Sequence, residues 1–238
     1  MKGRMKIAAS GGILELSKGL RATLFLTASC ILVAGCDTYS TNLRYDEPVS
    51  GRRLPNAIRV YIVRFEDKRA DKRIGVALNM FDNVVTNYIT GDDVGMWITT
   101  ALAREMRALG YDAVVAEKDE IPGRATDAIV IDGEVAAFKC LQSTSLSVIS
   151  SVVIRANLRC PNQPIYGRYY FGSEEFVLNT WVGTPEQFSR CAEKALKALM
   201  AQMVPALDAR IKAYKGLEAR EGPAEESQPA APPALLIR

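Results

Sequence analysis

SVVIRANLRC, residues 151–160, alternates without a break: Val152, Ile154, Ala156 and Leu158 fall on one side, Val153, Arg155, Asn157 and Arg159 on the other. Successive side chains of a strand point to opposite faces, so the pattern predicts a strand with one apolar and one wet side, as in an antiparallel sheet covered on a single face. Upstream, residues 128–138, AIVIDGEVAAF, show the same period of two after an apolar start. Downstream, Pro161 to Pro164 supplies a turn, and residues 165–177 read as an aromatic-rich strand containing Tyr166, Tyr169, Tyr170, Phe171 and Phe176. These three segments predict a long antiparallel meander.

Two other segments carry a helical period. In GDDVGMWITTALAREMRALGY, from Gly91, either Asp92 or Asp93 can cap the first turn and Gly110 can supply the left-handed residue that ends the helix. Val94, Ile98, Ala101, Leu102 and Leu109 recur at helical spacing, with Arg104, Glu105 and Arg107 mainly on the other side. The second helix opens with Thr184 as N-cap, Pro185 at the first helical position and Gln187 completing a capping box. Phe188, Ala192, Ala195, Leu196, Leu199 and Met203 form its apolar stripe, and Pro205 is expected to kink the helix or end its first part.

Residues 57–65, AIRVYIVRF, are apolar on both faces and predict a central strand; residues 111–116, YDAVVA, return as a strand after the first helix. Residues 74–90 mix Asn with β-branched residues and predict a loop and a short strand. The sum is an α+β domain over residues 57–214: a mixed, mostly antiparallel sheet with two helices packed on one face.

The chain begins differently. Lys2, Arg4, Lys6, Lys18 and Arg21 precede an uncharged run from Ala22 to Gly35, the layout of a secretory signal peptide. About 14 residues is too short for the roughly 20 of a bilayer span. The run ends in Leu32-Val33-Ala34-Gly35-Cys36, which resembles the lipobox of bacterial lipoproteins. That resemblance implies cleavage between Gly35 and Cys36 and a diacylglycerol thioether on Cys36, whose freed amine is then acylated. Asp37, the next residue, resembles the inner-membrane retention signal of some enteric bacteria, a rule other lineages do not share, so inner and outer membrane both stay open. Residues 36–56 are expected to form a lipidated flexible tether, and residues 215–238, with Gly222, Pro223, Pro229, Pro232 and Pro233 among Ala, Glu and Ser, a disordered tail.

Removal of Lys2, Arg4, Lys6, Lys18, Arg21 and Glu15 with the leader turns the formal net charge from +3 to −1. A nearly neutral chain lacks the electrostatic footprint of a nucleic-acid binder. The sequence has no histidine, which excludes Ser-His-Asp and Cys-His catalysis and His-based zinc sites. It has neither G-x-x-x-x-G-K-[ST] nor G-x-G-x-x-G, so no cofactor and no catalytic residue is assigned. With Cys30 in the leader and Cys36 lipidated, Cys140, Cys160 and Cys191 remain. Cys140 and Cys160 fall at opposite ends of the expected hairpin, too far apart to bridge; a bond from Cys191 to one of them stands as the alternative to three buried small hydrophobes.

FEDKRADKR, residues 65–73, follows the first strand, where loop residues often carry function. Asp67 and Arg69 are its candidate partner contacts, set against a solvated turn in which Asp67 caps local backbone and Arg69 pairs with a neighbour.

The lipobox, RVYIVRFEDKR, MWITTALAREMRALGYDAVV, TDAIVIDGEVAAF and the terminal helix together resemble the YajG-type bacterial lipoproteins over about residues 32–205. Asp67 and Arg69 match that family's turn, without a role attached. The resemblance implies a small periplasm-facing domain of unassigned activity in the cell envelope. The leading expectation is a non-catalytic binding or accessory module anchored through Cys36 with an envelope protein partner. An auxiliary lipoprotein of an ABC-type lipid or solute transporter would instead carry an apolar groove between helix and sheet. A carboxylate-dependent hydrolase would show two facing acids in a cleft.

Overall fold

The alternation along residues 151–160 becomes the middle strand of three. The structure, a computed structural model, describes residues 37–46, 57–79, 81–121, 128–143, 146–178 and 183–216. The lipobox and, of the tail expected at 215–238, residues 217–238 lie outside them. In chain order the elements are β1 (Asp37–Ser40), β2 (Arg59–Val63), β3 (Glu66–Asp67), β4 (Gly75–Leu78), β5 (Val84–Ile89), α1 (Val94–Ala108), β6 (Asp112–Ala116), β7 (Ile129–Gln142), β8 (Ser147–Arg159), β9 (Tyr166–Val177) and α2 (Pro185–Tyr214).

β7, β8 and β9 form the antiparallel meander, with Val152 opposite Phe138 on one side and Gly172 on the other. Val152, Ile154, Ala156 and Leu158 are buried beneath the helices, while Arg155, Asn157 and Arg159 look outward as the alternation requires. A register shift between Val135 and Ala137 puts Val135 and Phe138, three residues apart, on the same buried side. This bulge is invisible to a strict period of two.

β2 lies between β6 and β7 and runs parallel to both, so its two apolar faces are those of an interior strand. α1 follows β5 and leads into β6, so β3, β4 and β5 separate the parallel neighbours β2 and β6 along the chain. Asp93 is its N-cap, accepting from the Met96 amide at 2.9 Å, and Gly110 takes φ +92° beyond its end. Leu109, expected in the buried stripe, is exposed; Met106 and Ala103 lie in the core instead.

α2 opens on the expected capping box, Gln187 N–H to Thr184 Oγ1 and Thr184 N–H to Gln187 Oε1. It runs through Pro205, so of the two expected effects, a kink or an end, the end does not occur. Pro205 and Ala201, whose carbonyl would have met its missing N–H, both lie on the exposed side, where water can satisfy the carbonyl. Both helices cover the same face of the sheet, giving an α+β fold.

Two expectations are corrected. Residues 74–90 form two strands, β4 and β5, joined by a turn in which Asn79 Oδ1 accepts the Phe81 and Asn83 amides and Asp82 takes φ +58°. Residues 37–46, expected within the tether, belong to the fold. β1 pairs in parallel with β5, Asp37 opposite Thr86 and Ser40 opposite Ile89. Beyond β1, Thr41 Oγ1 donates to the Pro185 carbonyl at 2.8 Å and the Leu43 amide to Asp92 at 2.6 Å. Trp97 Nε1 donates to the Arg44 carbonyl at 3.1 Å, and Tyr45 is buried with its hydroxyl on Glu105. The segment therefore fastens β5 to both helices; of the expected tether, residue 36 and residues 47–56 lie outside the described chain.

Candidate binding surface

The loop after β2 and β3 was the first candidate, and it turns inward. The Arg69 side chain is 4% exposed and grips Asp67 with both arms, Nε to Oδ1 at 2.9 Å and Nη2 to Oδ2 at 3.0 Å. Its Nη1 reaches the Arg73 carbonyl at 3.3 Å, and its guanidinium lies 5.6 Å from the centre of the Phe138 ring. Asp67 also accepts the Arg69 amide at 3.1 Å and meets Lys72 Nζ at 3.1 Å. Hydrogen bonding from Arg69 lowers its carboxyl pKa to about 2. A second fork, Arg73 on Asp71, ties the loop to β5 through Asn87 at 2.9 Å. As a partner contact Arg69 has almost no surface to offer. Its buried charge is neutralised inside the fold, and the pair organises the loop.

The face of the meander left open by the helices joins the aromatic strand at 166–171 to charged residues that the sequence did not single out. Cross-strand rows run Asp132, Asn157, Gly167 and Glu134, Arg155, Tyr169. Asp132 accepts from Asn157 Nδ2 at 2.8 Å and pairs with Arg159, while Arg155 sits 3.9 Å from Glu134 and 5.8 Å from the Tyr169 ring centre. With Val63, Lys118 and Ile121 at its rim, this lattice lines a groove of about 170 Å³. The next row, Ala137, Val153 and Phe171, is apolar and half-buried, with Tyr169 half-exposed beside it. Among the described residues only the short 3-10 turn at Lys118–Glu120 and Ile121 after it stand against this face, at the groove, and neither α1 nor α2 covers it. The alternation of Asp132 and Glu134 in IDGEV was the signal for it: those positions lie opposite Asn157 and Arg155 once the hairpin closes.

The acids of the groove are matched with cations or an amide rather than facing one another. The carboxyls with displaced pKa values, Glu66, Asp67, Asp71 and Glu186, are all displaced downward, Glu66 by Lys68, Asp67 by Arg69, Asp71 by Arg73 and Glu186 by backbone hydrogen bonding. A general acid needs the opposite displacement. Where α2 crosses β9 there is no room for an acyl chain between helix and sheet. At its centre α2 lies directly on β9: a Cβ on Gly172 would stand 2.2 Å from the Ala195 carbonyl oxygen. No cluster of His, Cys, Asp and Glu among the described residues is arranged to hold a metal.

Cys140, Cys160 and Cys191 are free thiols. Cys140 lies opposite Ser150 and its sulfur is 3.3 Å from Ser150 Oγ; Cys191, on α2, donates to the Val148 carbonyl at 3.3 Å. Burial pushes the Cys140 thiol up to about 12 and the Cys191 thiol to about 11. Cys160 is half-exposed, unlike the buried residue expected. Gly35 and Cys36 lie outside the described residues.

No protein-family model matches this chain, so the YajG-type likeness stays a resemblance, and no curated protein matches it. Solved structures of similar chain path include a DUF330 protein from Xanthomonas campestris, 11% identical, covering 75% of this chain and 99% of that one at a TM-score of 0.47. A minor lipoprotein from Acinetobacter baumannii is 12% identical, covering 64% and 92% at 0.38. A PelC dodecamer from Paraburkholderia phytofirmans is 17% identical, covering 63% and 94% at 0.37.

Proposed function

We propose that this chain is a bacterial envelope lipoprotein, held to the membrane by acyl chains on Cys36 and working as a non-catalytic binding module that faces the periplasm. The observation that carries the reading is the junction at residue 36: a basic and then apolar leader ends in Leu32-Val33-Ala34-Gly35-Cys36, and the folded domain starts at the following residue, Asp37. A lipobox immediately before a domain is where a leader has to be cut if the lipid is to hold the domain. Several chains in one leaflet, at roughly 0.8 kcal/mol per buried methylene, make such an anchor stable.

The open face of β7, β8 and β9 is the partner-binding surface in this proposal. It pairs a fixed polar lattice with an adjoining apolar row, the mixture of orienting groups and desolvatable area that specific protein interfaces use. Two measurements test the reading on the native protein from membranes. Intact mass is expected to show loss of residues 1–35 and an acyl adduct on Cys36; retention of the leader without an adduct overturns the anchor. A photo-crosslinking residue at Tyr169 or Phe171 is expected to trap an envelope protein that one at Leu109 does not. Equal trapping at all three overturns the assignment of the face.

A further inference from the structure

The pairing registers of six strands align along one line across the sheet: Asp37 opposite Thr86, Thr86 opposite Ala77, Ala77 opposite Gln142, Gln142 opposite Val148, and Val148 opposite Phe176. Cys36 directly precedes Asp37, the residue of β1 on that line, in the sequence. The residues beyond the line on the other strands therefore occupy the same end of the molecule as the anchor. They include the β4–β5 turn with Phe81, the β7–β8 connection with Leu146, the C-terminal end of β9 with Val177, and Val85 near the start of β5. All four are exposed apolar residues, Phe81 and Val177 at 74%, Leu146 at 43% and Val85 at 39%.

We infer that this end of the sheet is a membrane-contacting edge, in which Phe81, Leu146 and Val177 enter the headgroup region of the phospholipid bilayer beside the lipidated Cys36. The inference rests on the anchor proposed above and adds the domain's orientation. Chain length fixes the occupant. With one residue, about 3.3 Å of extended chain, between Cys36 and the start of the line, the acylated residue cannot reach the bilayer unless this end lies against it. The β4–β5 turn projects two to three residues past the line, roughly 7–10 Å, so Phe81 stands further out than Asp37 does. An aromatic ring at that height suits the interface between headgroups and acyl chains. The charged side chains nearest the line, Asp37 and Glu175, are acidic, as is Asp82 in the turn beyond it. Contact is thus driven by apolar insertion and by the anchor rather than by attraction to anionic lipid, and raised salt leaves it in place.

With this edge down, the β1, β5 and β9 strands stand upright on the bilayer. The polar groove at Asp132 and Glu134 lies toward the far end of the meander, away from the lipid and accessible to a partner.

The test uses the full-length lipidated protein, with Cys160 replaced by Ser, inserted from outside into preformed liposomes of phosphatidylethanolamine and phosphatidylglycerol. Single cysteines are placed at Phe81→Cys, Leu146→Cys and Val177→Cys, and at Ile165→Cys on the opposite end, where Ile165 is 63% exposed. A bulky water-soluble maleimide is expected to label the three edge positions at least about tenfold more slowly than position 165, because the bilayer excludes it from them. Rates at positions 81 and 177 within twofold of that at 165, in a preparation whose intact mass carries the acyl adduct, overturn the orientation and leave the anchor standing. Absence of the adduct overturns the lipoprotein reading itself, and the orientation with it.

Discussion

The Arg69 guanidinium is held by both carboxylate oxygens of Asp67 at 2.9 and 3.0 Å while its central carbon lies 5.6 Å from the centre of the Phe138 ring. A charge so deeply placed depends on its partner, because removing one member leaves the other desolvated and uncompensated. Asp67→Asn is therefore expected to cost about 2–4 kcal/mol of folding stability. The double variant Asp67→Leu with Arg69→Met is expected to cost less than Asp67→Asn alone. Urea unfolding of the wild type and the two variants measures both, and a double variant less stable than Asp67→Asn would contradict the coupling.

The same pair sets an acid limb of stability. The Asp67 carboxyl titrates near 2 in the folded chain, below its ordinary value, mainly because Arg69 bonds to the ionised form. A depressed carboxyl contributes its stability in full above the unfolded-state pKa and loses it as pH falls through the folded value. Asp71 beside Arg73 is displaced in the same direction. The unfolding midpoint is expected to hold from about pH 6 to about pH 4 and then fall toward about pH 2, with a shallower fall in Asp67→Asn.

Gly172 is where α2 meets the meander. A methyl group there would stand 2.2 Å from the Ala195 carbonyl oxygen and 2.8 Å from the Leu199 amide nitrogen, both backbone atoms that cannot rotate away. Gly172→Ala is expected to lift the helix from β9 and destabilise the domain by about 1–3 kcal/mol. Thermal unfolding measures this directly; a change within a few tenths would show that the helix yields without cost.

How far the sequence exposed this architecture varied with whether the governing contacts were local. The β8 alternation was legible because one face of that strand meets helices and the other meets solvent, which writes itself directly into Val152 to Arg159. The α2 cap was legible because Thr184 and Gln187 bond to each other. β1 was not: Asp37–Ser40 is exposed throughout and carries no buried side chain, so its strand geometry comes from β5, nearly 50 residues away in the chain. Arg69 looked like a solvated loop charge because its burial depends on Phe138, which only the closed sheet brings beneath it. Asp132 and Glu134 were hidden for the same reason: their partners lie across a hairpin.

Thiol reactivity distinguishes the three cysteines of the domain. The thiolate is the reactive form, and burial raises the pKa of Cys140 to about 12 and that of Cys191 to about 11. Cys160 is also raised by partial burial, yet it keeps access to solvent. In the folded protein at neutral pH a disulfide reagent is expected to titrate Cys160 alone; after denaturation it should find all three. Rapid labelling of Cys140 or Cys191 in the native state would contradict their placement in the core.

Tyr45 tests whether residues 37–46 are part of the fold. Its hydroxyl donates to Glu105 on α1, its carbonyl accepts from Arg104 at 2.7 Å, and Lys197 of α2 stands 5.7 Å from its ring centre. Tyr45→Phe removes the hydrogen bond to a charged acceptor while keeping the ring, and is expected to cost about 1–3 kcal/mol. Tyr45→Ala removes the ring as well, adding about 3–5 kcal/mol for the lost burial, less whatever the site recovers by collapse. The distinguishing measurement is hydrogen exchange along β5. If the segment clamps that strand, amide protection at Asn87 and Ile89, whose backbone faces β1, falls with Tyr45→Ala. If residues 37–46 were only a tether laid on the surface, both variants would leave β5 protection and the unfolding midpoint unchanged.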